Sequence, residues 1–125
     1  MVAKKPRFRK LAVQAARAAD EKQGDNIIIL DIRKISAIAD YMMFMTVNSS
    51  PHLLAVLQEI EELFSPSSVT LLHQDGGRHS SWVVLDYGGI VIHIMHYEAR
   101  TFYAIEKLWR DARKVRWLKN SLEKK

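Results

Sequence analysis

Apolar residues recur every three or four positions in three stretches of the chain, the spacing of one helix face. This spacing predicts helices over residues 8–22 and 50–65, and a last helix from about Ala99 past Trp109. At the second of these, Ser50 followed by Pro51 is typical of a helix start, with serine as the N-cap and proline at the first helical position. Gly24 is expected to end the first helix as its C-cap.

Continuous runs of β-branched and other large apolar residues predict five strands, over residues 27–30, 41–47, 69–72, 82–85 and 90–94. The order strand, helix, strand across residues 41–72 predicts a right-handed crossover and therefore a parallel pair. Asp-Tyr-Gly-Gly at residues 86–89 predicts a β-hairpin between the last two runs. We therefore expect an α/β protein with a mixed five-stranded sheet flanked by helices.

The predicted hairpin has two unequal faces, because side chains alternate along each strand. With a two-residue loop, one face carries only aliphatic residues and should be core. The other face mixes aromatic, charged and apolar side chains: Trp82, Val84, Asp86, Val91, His93 and Met95. Such a mixture occurs on partner-binding surfaces and also beneath a covering helix, and both interpretations stay open. A three-residue loop would exchange the two faces.

The formal net charge of +5 is distributed unevenly along the chain. Residues 1–10 carry five basic residues and no acid, and residues 107–125 carry eight basic residues against two acids. Residues 11–106 hold six basic and twelve acidic residues, so an acidic body lies between two basic tails. The body suits a basic protein partner better than nucleic acid, whereas the tails could touch a phosphate backbone.

With 125 residues, 48% of them hydrophobic, the chain has the size and composition of one domain. We expect this domain over residues 1–125, with a folded body at about 8–117. The chain contains no cysteine, which excludes disulfides and thiolate chemistry. Its longest apolar run, residues 41–47, is too short to cross a bilayer, so a cytoplasmic location without membrane contact is expected.

The sequence contains no motif that predicts catalysis. Glycine-rich phosphate loops and nucleophile elbows are absent. His93 and His96 would point to opposite faces of a strand and could not bind one metal ion. Glu59 and Glu61, the only acid pair two residues apart, diverge on a helix. We therefore expect no catalytic residue, no metal and no cofactor.

Several linked motifs between Ala12 and about Trp117 resemble the ribosomal silencing factor family, also called Iojap-like. The most specific is S-W-V-V-L-D-Y-G at residues 81–88, followed by V-I-H-I at 91–94. The others are D-N-I-I-I-L-D-I at 25–32, A-D-Y-M at 39–42 and R-T-F-Y-A-I-E-K-L-W at 100–109. Their combined order is more specific than any one of them.

This resemblance implies a nucleotidyltransferase-like fold that has lost its catalytic acids. It also implies a translational repressor that binds the fourteenth protein of the large ribosomal subunit. Bound there, the repressor would sterically block association with the small subunit and lower translation under nutrient limitation. By position, the resemblance assigns the contact to Trp82, Asp86, Tyr87, His93, Arg100 and Tyr103. Glu98 joins this set as an acid that can meet a basic partner.

The chain departs from the family pattern at Ser81, where glycine is usual, and at Gly89, where an acid is common. Residues 46–48 also lack the glycine usually found after the second strand. Because these positions lie in loops, contact detail should vary more than fold or partner. Family members often form dimers, so the mixed hairpin face could serve a homodimer. The basic C-terminal tail is expected to touch ribosomal RNA.

Two functions of other classes remain as alternatives. An active nucleotidyltransferase-like enzyme would need a metal-binding acid pair, which the sequence lacks. A general RNA-binding module is favoured by the isoelectric point of about 9.6 but opposed by the acidic body.

Overall fold

The computed structural model describes residues 8–103, 107 and 109–118. In these residues the strands form one mixed sheet with the order β3-β4-β5-β2-β1-β6. The elements in chain order are α1 Phe8–Glu21, β1 Asp25–Asp31, β2 Tyr41–Val47, α2 Ser50–Phe64, β3 His73–Asp75, β4 Trp82–Asp86, β5 Ile90–His96, α3 Tyr97–Tyr103 and β6 Arg113–Lys114. The predicted α/β class with a mixed, helix-flanked sheet is confirmed, with six described strands in place of five.

The helix α1 forms where the apolar periodicity predicts it and ends in a Schellman motif. The Gly24 N–H donates to the Ala19 carbonyl at 2.8 Å, and the Gln23 N–H donates to the Asp20 carbonyl at 2.9 Å. The residue in the left-handed conformation is Gln23, with φ of 64°, and not Gly24 as predicted. Glycine is still favoured at position 24, because a Cβ there would lie 3.0 Å from the Ala19 carbonyl oxygen.

The helix α2 also forms as predicted, but its N-cap is Ser49 and not Ser50. The Ser49 hydroxyl accepts the His52 N–H at 3.1 Å, which satisfies one of the four free donors of the first turn. With Ser49 as the N-cap, Ser50 becomes the first residue of the helix. Pro51 then lies inside the first turn, where its missing N–H costs nothing.

The strand β2 lies at the centre of the sheet and is buried along its whole length. It pairs antiparallel with β1 and parallel with β5. The prediction that residues 69–72 form its parallel partner was wrong, because the next strand is β3 and pairs antiparallel with β4. Within residues 69–72, Val69 is buried and Leu71 packs against the core beneath α2, so the apolar run anchors a connection.

The sheet separates two hydrophobic cores. On one side α1 and α2 pack against residues such as Met43, Leu85 and Ile92. The face of α1 is lined by four fully buried alanines, at positions 12, 15, 16 and 19, whose small side chains allow close packing. On the other side, α3 and the connection from residue 32 to 40 cover a smaller core that includes Phe44 and Met95.

The first strand is irregular, because its register shifts between Asp25 and Ile28 and Asn26 has φ of 50°. Two distant side chains bind the carbonyls of this stretch. Arg100 Nη1 donates to the carbonyl of Asn26, and Trp117 Nε1 donates to that of Ile27 at 3.1 Å. Because a carbonyl that loses its partner in a part-buried site is costly, both contacts stabilise the irregular strand.

The end of the chain differs most from the prediction. The last helix, α3, begins at Tyr97, two residues before the predicted start, and its described part ends at Tyr103. Residues 104–106 and 108 of the predicted helix lie outside the described residues, and Lys107 and Trp109 belong to a tight 3₁₀ turn. The strand β6 was not predicted, because two exposed basic residues show no apolar alternation.

Replacing Gln23 with glycine should raise the free energy of unfolding by roughly 0.5–1 kcal/mol, because glycine adopts positive φ without the steric cost of a Cβ. The control Glu21→Gly, in the last turn of α1, should lower it by a similar amount. Urea unfolding of the three proteins measures both changes. A destabilised Gln23→Gly protein would contradict the cap geometry.

Candidate protein-binding face

The strands β4 and β5 form the predicted hairpin, with Gly88 and Gly89 as its two-residue loop. The Tyr87 N–H donates to the Ile90 carbonyl at 2.9 Å and closes the turn. Gly88 has φ of 88°, where side chains are strained, and a Cβ on Gly89 would lie 2.2 Å from the Phe8 ring. Both positions therefore favour glycine, for two different reasons.

The register of the hairpin confirms the predicted division of its faces. Trp82 lies opposite Met95, and Val84 lies opposite His93. We call the mixed side the hairpin face; it consists of Trp82, Val84, Asp86, Val91, His93 and Met95. Its β5 residues are buried in the smaller core, whereas its β4 residues are only half-buried. The hairpin face is therefore covered along one strand and partly open along the other.

His93 is the buried centre of the hairpin face, with 8% of its surface exposed. Its ring stacks on Phe44 with 4.7 Å between centroids, and its Nε2 lies 3.1 Å from the sulfur of Met42. Trp82 Nε1–H donates to His93 Nδ1 at 3.0 Å. Since Nδ1 accepts this bond, a neutral His93 carries its proton on Nε2, towards the thioether. The indole of Trp82 is thereby held in one orientation.

Arg100 points from α3 into the sheet and is 4% exposed. Its Nη1 donates to the Asn26 carbonyl and, at 2.8 Å, to the Thr46 hydroxyl. The guanidinium carbon also lies 5.9 Å from the centre of the Phe44 ring. Arg100 thus connects α3 to β1 and β2 and stands next to the ring on which His93 stacks.

Asp86 and Tyr87 shape the end of the hairpin. The Asp86 carboxylate accepts the Gly88 N–H at 2.8 Å, the local contact of an aspartate turn. The Tyr87 ring stacks on Phe64 of α2 with 4.0 Å between centroids, on the side of the sheet away from Trp82. Burial, together with the nearby Glu61 carboxylate, raises the pKa of Tyr87 to about 12. The structure therefore separates Tyr87 from the other aromatic residues of the predicted contact set.

The two remaining predicted contact residues lie on α3. Glu98 is exposed in its first turn, where the helix dipole favours a carboxylate. Tyr103 is the last described residue of the helix, and its side chain lies outside the described residues. Of these two residues, Glu98 is in a position to meet a partner.

Sequence reasoning missed two exposed isoleucines on the connection between β1 and β2. Ile38 is 65% exposed and Ile35 is 50% exposed. The same connection docks on the hairpin turn, because the Asp40 N–H donates to the Gly89 carbonyl at 2.9 Å, and Ala39 is buried in the smaller core. Ile38 therefore lies two residues before the point at which this connection contacts the turn end of the hairpin. The only sequence signal was an unusual apolar content for a segment without helix or strand periodicity.

The acids at strand ends are engaged in structural contacts. Arg33 donates to both carboxylate oxygens of Asp31, at 2.9 and 2.7 Å, and this contact lowers the pKa of Asp31. Asp86 is engaged by the hairpin turn. Across residues 8–103, 107 and 109–118, no group of three or more His, Asp or Glu side chains could hold a metal ion. In the same residues no helix is long and apolar enough to cross a membrane.

The fold and the hairpin face define a class of small α/β proteins that present a half-open sheet surface held from behind by buried polar contacts. The comparisons with known proteins make this specific. The chain matches the family described as "Ribosomal silencing factor during starvation" over residues 5–125, and it belongs to that family. This membership confirms the resemblance seen in the sequence and indicates a regulatory role connected with the ribosome.

Individual relatives agree with the family assignment. The chain is 35% identical to the ribosomal silencing factor of Bacillus subtilis over 98 residues, which cover 78% of this chain and 83% of the relative. It is 26% identical to the chloroplastic protein Iojap of Zea mays, covering 81% of this chain and 44% of the relative. A crystal structure of a Chromobacterium violaceum protein superposes with a TM-score of 0.75 at 27% identity, covering 81% of this chain and 84% of that one.

Replacing Arg100 with methionine should lower the free energy of unfolding by about 1.5–3 kcal/mol, because the Asn26 carbonyl and the Thr46 hydroxyl lose a charged donor. Methionine keeps much of the apolar stem, so the change isolates the guanidinium. The matched control on the same helix is Glu98→Gln, which should change stability by less than about 0.5 kcal/mol. Equal stabilities of the two variants in urea unfolding would show that Arg100 is not a structural clamp.

Tyr87 should make stability fall with rising pH between about 10 and about 12. Because its pKa is raised above the ordinary value of 10 in the folded protein, Tyr87 ionises in the unfolded chain at a lower pH than in the folded one. Its contribution to the free energy of unfolding is therefore complete below pH 10 and is lost as the pH rises towards 12. Unfolding of the wild type and of Tyr87→Phe across this range measures the effect. The wild type should lose stability more steeply than Tyr87→Phe, and parallel curves would refute the assignment.

Proposed function

We propose that this chain is a translational repressor without catalytic activity. It binds the large ribosomal subunit through that subunit's fourteenth protein and sterically blocks association with the small subunit. Translation is thereby lowered when nutrients are limiting, in the cytoplasm, where the subunits meet. Membership of the ribosomal silencing factor family supports the ribosomal partner, and the chain over residues 1–125 is proposed to act as one domain.

The observation that carries this proposal is the half-buried Trp82 on β4, the open strand of the hairpin face. Its indole is held by the buried His93 of β5. Large, rigid aromatic residues dominate the binding energy of protein interfaces, because they bury much area and lose little freedom on binding. The Trp82 Nε1–H is already bonded to His93, so a partner that covers the indole meets an apolar surface. That arrangement avoids the cost of an unpaired buried donor.

The surroundings of Trp82 match the organisation of a protein interface. Val84 continues the apolar surface along β4, and the exposed Ile38 lies on the connection that docks at the turn end of the hairpin. Glu98, exposed on α3, can pair with the basic groups of a ribosomal protein and can steer the encounter. In this proposal Trp82 is the central contact, and His93 and Arg100 hold the surface from behind.

The remaining members of the predicted contact set have secondary roles in this proposal. Asp86 and Tyr87 fix the end of the hairpin and therefore the position of β4. Tyr103 would contact the partner from the end of α3. A homodimer formed through the hairpin face would compete with the ribosomal protein for the same surface.

Co-sedimentation with purified large and small ribosomal subunits tests the proposal directly. The chain should bind the large subunit alone. Trp82→Ala should weaken this binding by at least about 30-fold, which corresponds to the roughly 2 kcal/mol typical of a central aromatic contact. Ile38→Asp, a change at an exposed residue that leaves the core intact, should also weaken it. Gln58→Asp, on the exposed side of α2, is the matched control and should bind normally.

The same proteins should be compared in a subunit-joining assay on sucrose gradients. The wild type and Gln58→Asp should reduce the fraction of joined ribosomes, whereas Trp82→Ala and Ile38→Asp should not. Urea unfolding of each variant separates a lost contact from a lost fold. Equal binding to both subunits, or binding that neither Trp82→Ala nor Ile38→Asp affects, would overturn the proposal.

A further inference from the structure

A second candidate surface lies at the other end of the sheet, between β1 and the segment from residue 107 to 114. It is a cleft of about 250 Å³ on the same side of the sheet as the hairpin face. Ile28 and Leu30 of β1 form its apolar floor, and Trp109 lines it together with Ala112. In the order of strands, β5 and β2 separate it from β4.

The rim of this cleft is strongly basic. Among the described residues that line it, the charged ones are Lys107, Arg110 and Lys114, all of them exposed and none of them acidic. Arg113 and Arg116 follow on the same segment, against one acid, Asp111. This concentration of positive charge contrasts with residues 11–106, in which acids outnumber basic residues by two to one.

The segment that carries these cations is attached to the sheet. Lys114 of β6 lies opposite Leu30, and the Val115 N–H donates to the Ile29 carbonyl at 2.8 Å. The turn before it is closed by the Ala112 N–H, which donates to the Trp109 carbonyl at 2.9 Å. Trp109 is half-buried and packs against the smaller core, so part of its indole is anchored while the rest lines the cleft.

We propose that this cleft binds a nucleotide of single-stranded RNA. The base stacks on Trp109 above the apolar floor, and the flanking phosphates pair with Lys107, Arg110 and Lys114. An aromatic ring beside a row of cations meets both parts of a nucleotide, because every base has an apolar face and every phosphate carries a charge. An apolar peptide segment would use the floor but leave the three cations unpaired.

The inference rests on the proposed function in one respect: a protein seated on the large subunit has ribosomal RNA within reach. In this proposal the RNA contact is made by folded residues at the β6 edge of the sheet. It therefore predicts RNA binding with two separable parts, a stacking part from Trp109 and an electrostatic part from the cations.

Fluorescence anisotropy with the full chain and a short labelled oligouridylate tests the stacking part. Trp109→Leu keeps apolar packing but removes the ring, and it should weaken binding about tenfold. Trp109→Phe restores a stacking surface and should stay within about threefold of the wild type. Loss of binding in both variants with an unchanged unfolding midpoint, or in neither, would overturn the role of Trp109 as a stacking platform.

The salt dependence of the same binding tests the electrostatic part. Each phosphate contact on a single strand contributes about 0.7 to the slope of log affinity against log salt. The double variant Lys107→Gln, Lys114→Gln should therefore reduce the slope by about 1.4, whereas Trp109→Leu should leave it unchanged. Lys22→Gln, on the far side of the sheet, is the control and should alter neither affinity nor slope.

Competing occupants are separated by further probes. Adenosine monophosphate that displaced the strand at equal phosphate concentration would show a free-nucleotide site and overturn the strand assignment. Binding to phosphatidylserine vesicles that equals binding to the strand would show a general anionic surface and also overturn it. This test is independent of the proposed function, because Trp82→Ala should bind oligouridylate normally while its binding to the large subunit is weakened.

Discussion

Phe44 on β2 and His93 on β5 lie opposite each other in the central parallel pair, and their stacked rings fix much of what surrounds them. The stack buries the imidazole and presents its Nδ1 to Trp82. Arg100 of α3 stands close to the same phenyl ring. The parallel register places the Phe44 ring beside the His93 ring on the side of the smaller core. It therefore sets the position of the hairpin face.

The same pairing explains why the two sides of the sheet differ. On the side of α1 and α2, the hairpin residues Val83, Leu85, Ile90, Ile92 and Ile94 are aliphatic and belong to one continuous core. On the other side, two polar side chains are buried and make hydrogen-bonding contacts: His93 with Trp82 and Met42, and Arg100 with Asn26 and Thr46. Because hydrogen bonds depend on geometry more strongly than apolar packing does, these contacts restrict the orientation of the side chains that they join.

The sequence predicted the helices, the central strands and the division of the hairpin faces, because each depends on local periodicity and on a two-residue loop. It misplaced the parallel partner of β2, because apolar runs do not say which strand pairs with which. It missed β6, which two basic residues form by pairing with β1. For the site, family motifs supplied residues, but they could not separate the half-open Trp82 from Tyr87 and Arg100, since burial depends on distant contacts.

The two proposed binding surfaces, the hairpin face and the cleft at the β6 edge, lie at opposite ends of one side of the sheet. Together they can bind with higher affinity than either does alone. When the first contact forms, the second becomes intramolecular, and its effective concentration rises without any new interaction. The proposed contact through Trp82 would depend on apolar burial and respond little to salt, whereas the proposed contact at the β6 edge would depend on phosphates and weaken as salt rises. Free ribosomal protein would occupy only one of the two surfaces, and bare RNA only the other. The chain would therefore distinguish a site on the large subunit that offers both from either one alone.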